Sequence, residues 1–146
     1  MTDFAPIASY TARTDTDQVQ LFAGESDIVT TQGELRVLDS GDAPIIYAAG
    51  QVLGRNSTTR IWEPHNPAAT DGTQNARAIL GYTPQPNGQA TAGKLEGVYT
   101  GGVFNMDALI FNAATNTRAK KAAVFDGTNI VAQKLYGNPP AGSGPV

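Results

Sequence analysis

His65 is the only histidine of the chain, and there is no cysteine. A histidine acts as general base, triad member or metal ligand only with partners of matching chemistry. A triad through His65 needs an acid such as Asp71 and a serine, and no Gly-x-Ser-x-Gly turn supplies an elbow for one. Without thiolates and further imidazoles, a zinc set cannot be completed. Between Pro64 and Asn66, His65 reads as a solvated loop residue. The carboxylate pairs Asp15/Asp17 and Asp39/Asp42 fall in segments with turn or tail composition, where nothing drives their pKa values apart as acid–base work requires. Asp39-Ser40-Gly41-Asp42 is short of a calcium loop's ligands. No glycine cluster matches a phosphate-binding fingerprint. Trp62 invites sugar stacking, but an indole more often fills a core or an interface. Tyr82 and Tyr99 read in the same way. No catalytic set, metal or cofactor emerges, and an enzyme is not expected.

The elements that would position such residues are short. Glycine (16) and proline (9) are plentiful among 146 residues, which favours strands and turns over long helices. The net charge of −3 and the lack of a clustered basic stripe, Lys120-Lys121 being the one adjacent pair, argue against nucleic acid. No apolar run reaches the ~18 residues of a membrane span, and residues 1 to 20 lack the basic start and apolar core of a signal peptide.

Residues 1 to 18 are polar and without periodicity. Val19–Phe22 and Ile28–Thr31 are β-prone runs. Leu35–Leu38 leads into a turn at Asp39–Asp42, and Ile45-Ile46-Tyr47 follows. Gln51–Leu53 and Arg60–Trp62 can pair across the intervening turn, where Asn-Ser-Thr at 56 to 58 is better read as turn than as a glycosylation site. Ala78-Ile79-Leu80 is a further strand. Residues 83 to 93 are loop by composition. Leu95–Phe104 reads as one bent strand with a bulge at Gly101-Gly102, and Met106–Phe111 as core. The spacing of Ala119, Ala122 and Ala123 predicts a helix within residues 112 to 125, capped by Asn112 or Thr115, with Lys120 and Lys121 towards its C-terminal end and Gly127 after it. Ile130-Val131-Ala132 makes a closing strand, and 137 to 146 is a Pro/Gly-rich tail.

Four pieces, in order, carry a resemblance: Gly50-Gln51-Val52-Leu53-Gly54; Pro67-Ala68-Ala69-Thr70-Asp71-Gly72-Thr73 leading to Ile79-Leu80-Gly81; Tyr99 to Leu109; and Thr115 to Ala132. Together they resemble the phage head decoration proteins of the lambda head protein D type. The resemblance implies a mainly β fold with one short helix (α+β), compact and β-tulip-like, assembled as a homotrimer. It implies a structural virion protein that binds the major capsid protein on the outer surface of the capsid, is made in the host cytoplasm, stabilises the head, and needs no cofactor, nucleic acid or membrane. The corresponding division is an extended capsid-contacting arm over 1–29, a core domain over 30–136 and a flexible tail over 137–146. The β-prone apolar residues Val19, Leu21, Phe22, Ile28 and Val29 are the arm's expected contacts. The alternative is a receptor- or glycan-binding β module of a phage tail or bacterial surface, with Trp62 and Tyr82 on an exposed patch.

Overall fold

The computed structural model describes residues 20–24 and 27–134. Six strands form one sheet: β1 (Val29–Glu34), β2 (Val52–Arg55), β3 (Trp62–Pro64), β4 (Ala76–Leu80), β5 (Leu95–Asn105) and β6 (Asn129–Gln133). A 3-10 turn (Met106–Ala108) follows β5, and one helix, α1 (Arg118–Ala123), precedes β6. Among the described residues the expected mainly β architecture with a single short helix is what the chain adopts.

The strand order is β1-β5-β4-β2-β3, antiparallel throughout, with β6 added parallel to β5. The far edges then meet. Leu35, just past β1, bridges Trp62 of β3, and the Arg36 amide donates to the Trp62 carbonyl at 2.9 Å. This contact closes the sheet into a small barrel and removes two exposed edges. Gly33 permits the closure, because a Cβ there would collide with the Trp62 indole.

The eleven-residue β5 is the spine. Its first half lies between β1 and β4, through pairs such as Thr31↔Val98 and Leu80↔Val98. Its second half has β6 on one side. On the other side, residues 20–24 run antiparallel to it: Phe22 bridges Phe104, the Ala23 amide donates to the Val103 carbonyl at 3.0 Å, and the Asn105 amide donates to the Leu21 carbonyl at 2.7 Å. The bend expected at Gly101-Gly102 lies within this one strand: the β1 register slips between Val29↔Gly101 and Thr30↔Tyr99, leaving Thr100 as the extra residue. Gly102 takes a φ of +138°, which glycine tolerates best.

Adjacent residues of the central strands point to opposite faces, and both faces are covered. Val52, Ile79 and Phe104 join Met106, Leu109, Phe125 and Ile130 on one side. Leu53, Leu80 and Val98 join Leu35, Tyr47 and Trp62 on the other.

The helix is shorter than its alanine spacing predicts, and its cap is Thr117, whose Oγ1 accepts the Lys120 amide at 3.2 Å. Asn112 is occupied elsewhere: its side chain closes a turn with the Ala114 amide, and its amide group reaches the His65 carbonyl at 3.3 Å. Ala119, Ala122 and Ala123 are exposed; the hydrophobic anchorage comes just after α1, from Val124 and Phe125. Within 106–111, Met106 and Leu109 are core as expected, whereas Ile110 is exposed.

Candidate functional site

His65 is not solvated. It is 3% exposed, and it lies directly after β3 with its amide bound to the Val52 carbonyl at 3.0 Å. Its Nε2 is 3.0 Å from the Gln74 carbonyl oxygen, which can only accept, so Nε2 carries the proton. Nδ1 is then a buried lone pair without a hydrogen-bond partner among the described residues. Burial lowers the ring's pKa from its ordinary value, against a smaller opposing effect of the Gln74 carbonyl, and favours the neutral ring. The loop between β3 and β4 covers the imidazole, a tertiary contact that Pro64 and Asn66 as neighbours do not reveal.

Asp71 is exposed, and it does not approach His65 as a triad acid would. Its Oδ1 accepts the Thr73 hydroxyl at 2.6 Å and the Thr73 amide at 3.0 Å. These two bonds, the hydroxyl first, hold its carboxyl below the usual range. It shapes the Asp-Gly-Thr turn. Asp39 likewise accepts the Gly41 and Ala43 amides, at 2.8 and 3.0 Å, and is a turn residue. Asp15 and Asp17 lie outside the described residues. Among the described residues, no three His, Cys, Asp or Glu side chains gather to hold a metal ion, and no helix is long and apolar enough to cross a membrane.

Two polar clusters have no signal in the sequence. Glu96 alternates with Val98 along β5 and is buried at 1% exposure. The Tyr82 hydroxyl donates to its Oε1, and Lys94 Nζ stands 3.6 Å from Oε2. The Glu96 carboxylate raises the pKa of the Tyr82 phenol. The second cluster joins turn to strand: Arg36 pairs with Glu63 at 3.0 Å, and Asn56 donates to Glu63 at 3.2 Å and to Asp71 at 3.4 Å. Each depends on a partner distant in sequence, Tyr82 for Glu96 and Arg36 for Glu63, so local pattern cannot find them.

Trp62 is 6% exposed and packs with Leu35, Leu53 and Leu80, as a core indole should. Tyr82 is exposed, but its hydroxyl is engaged by Glu96. The two do not form an open aromatic platform for a sugar.

Of the expected arm contacts, Val19 lies outside the described residues. Leu21 and Phe22 are half-buried against the chain's own core, with the Phe22 ring 5.1 Å from Tyr99, edge-on, and 5.0 Å from Phe104. Ile28 and Val29 are 48% and 46% exposed. Val29 already belongs to β1, so the described chain is held to the body on both sides of residues 25 and 26. The described part thus leaves Ile28 and Val29 as open apolar surface, while Leu21 and Phe22 are taken up by the chain's own core.

No curated protein matches the chain. A family model, bacteriophage lambda head decoration protein D, matches residues 10–132. That match spans the six strands apart from the last residue of β6, the helix, and the segment leading into them. The chain therefore belongs to the bacteriophage lambda head decoration protein D family, whose members are structural proteins of the phage head.

Proposed function

We propose that this head decoration protein is a cement for the shell: it sits on the outer face as a homotrimer, grips the major capsid protein through its N-terminal segment, and raises the resistance of the head to heat. The observation that carries the reading is the seating of residues 20–24 along β5. The seating ties residues 20–24 to the sheet, a root of the kind that an arm reaching a partner requires. Within the five expected contacts the roles divide. Leu21 and Phe22 serve as the root, and Ile28 and Val29 present apolar surface beside it. Threefold symmetry repeats each contact three times, so modest contacts become avid once one protomer docks. A ligand that binds the assembled shell stabilises it by mass action.

The test uses two truncations and undecorated heads of the same phage. Deleting residues 2 to 19 should leave a trimer by light scattering that no longer co-sediments with heads. Deleting 2 to 27 should in addition lower the melting temperature, because Leu21 and Phe22 leave the core. Undiminished decoration by the first truncation would remove the arm from the mechanism, and a monomer at full occupancy on heads would remove the trimer. Heads with and without the full-length protein should differ in thermal melting; equal melting at full occupancy would contradict a cementing role.

A further inference from the structure

Three arginines, Arg55 from the end of β2, Arg60 from the β2–β3 turn and Arg77 from β4, line one open groove beside Trp62. Two contiguous hollows share Arg55, Arg77 and Trp62, and among the described residues neither is lined by an aspartate or a glutamate. The remaining lining is hydroxyl, amide and glycine backbone, for example Thr31, Thr100 and Asn75. Among the described residues none of these three guanidinium groups is in an ion pair, although the chain as a whole carries a net charge of −3. The groove is also pre-set. The Arg55 guanidinium lies 5.5 Å from the centre of the Trp62 ring, and its Nε donates to the Arg60 carbonyl at 2.9 Å. Arg60 itself holds a φ of +65°, a left-handed conformation that costs an arginine more than a glycine. A turn under no other demand favours glycine or asparagine there.

Convergent guanidinium groups without counter-charges match carboxylates, which they bind in a bidentate fashion. We propose that this groove is a second contact with the shell, one that receives a carboxylate-bearing segment of the capsid surface. The identity of that partner rests on the decoration reading above. The charge complementarity rests on the groove itself. A charged contact of this kind steers docking and adds affinity that falls as salt screens it.

Trp62 is the only tryptophan of the chain and borders the groove beneath Arg55, so its fluorescence responds to a change in the charge and position of that guanidinium. The experiment compares the full-length protein with the double variant Arg60→Gly/Arg77→Gln, in which glycine accepts the turn's backbone. An octa-glutamate peptide should shift Trp62 emission saturably in the wild type and not in the variant. The variant should bind undecorated heads about tenfold more weakly, with a flatter salt dependence, while keeping its assembly size and a melting temperature no lower than the wild type's. Equal peptide response and equal head binding would overturn the proposal. A single-stranded oligonucleotide of matching charge that binds more tightly than the peptide would overturn the partner class. A fall in the variant's assembly size would overturn the shell as occupant, since the groove would then join copies of the chain. A wild type that fails to bind heads breaks the decoration reading, and the peptide titration still decides the groove.

Discussion

The two sides of the central sheet are built from the same strands and differ in kind. On one side Val52, Ile79 and Phe104 meet Met106, Leu109, Phe125 and Ile130, all apolar, and the cover is assembled from pieces far apart in the chain: residues 21 and 22, the segment after α1, and β6. On the other side Leu53, Leu80 and Val98 meet Leu35, Tyr47 and Trp62 inside the closed barrel, where two aromatic side chains carry polar tips. The Tyr47 hydroxyl donates to the Arg36 carbonyl at 2.7 Å, and burial, then the Glu63 charge, raises the phenol's pKa and keeps it protonated. The core side chains of the first side are thus held by packing alone, whereas on the second a side-chain hydrogen bond also fixes the register of the closing edge, since Arg36 is the residue whose amide reaches Trp62.

Four measurements sharpen or break this contrast. The largest effect is expected on the apolar side: Phe104→Ala removes a fully buried ring in contact with Phe22 and Tyr99 and should cost about 3–5 kcal/mol by denaturant unfolding. A cost under 1 kcal/mol would mean that this side is loosely packed. Next is Gly54→Ala in β2. Its Cβ would stand 2.5 Å from the Thr73 carbonyl oxygen and 2.7 Å from the Thr73 Cα, backbone atoms that cannot swing aside, and a loss of about 1–3 kcal/mol is expected. An unchanged melting temperature would show that the 66–75 loop yields. Tyr47→Phe should cost about 1 kcal/mol, leaving the fold intact and the Arg36 carbonyl unpaired; no loss would reduce the barrel side to shape alone as well. The smallest effect is a pH dependence. The His65 ring has a folded pKa below its unfolded value near 6.5, so the unfolded chain takes up the proton first. Its contribution is present above about pH 6.5 and is lost as pH falls through the folded pKa. Melting temperatures at pH 7.5 and 5.0 should therefore converge more closely in His65→Gln than in the wild type. Equal slopes would place the imidazole in water.

The same contrast explains what was legible in the sequence. Val52-Leu53 and Ala78-Ile79-Leu80 are continuous apolar runs because both of their faces are buried, and such runs read as strands without alternation. The pairing of β2 with β3 followed from the turn between them, and the bent β5, rather than a hairpin at Gly101-Gly102, from the apolar residues that resume at once; the β2–β3 pairs are Leu53↔Pro64 and Arg55↔Trp62. What stayed hidden depends on distant partners. The barrel closure rests on Leu35 meeting Trp62, the burial of His65 rests on the 66–75 loop, and the buried Glu96 looks in sequence like any surface residue of an edge strand. The helix is shorter than its alanine spacing predicts because such spacing marks a buried face only if something covers it, and no described residue covers Ala119 or Ala122. The groove arginines are scattered over 55 to 77 and converge only through the β2–β4 pairing and the turn between β2 and β3.

Asn105 links the beginning of the described chain to its end. Its side-chain amide donates to the Gln20 carbonyl at 2.8 Å on one side, and it pairs with Gln133 on the other. The described residues therefore begin and end on either flank of a single residue, roughly 10 Å apart at two strand spacings. Such a body is topologically close to a ring. A short peptide joining Gln20 to Lys134 would cyclise it, and new ends opened at the exposed Asp39–Asp42 turn would give a circular permutant with the same pairings in a different chain order.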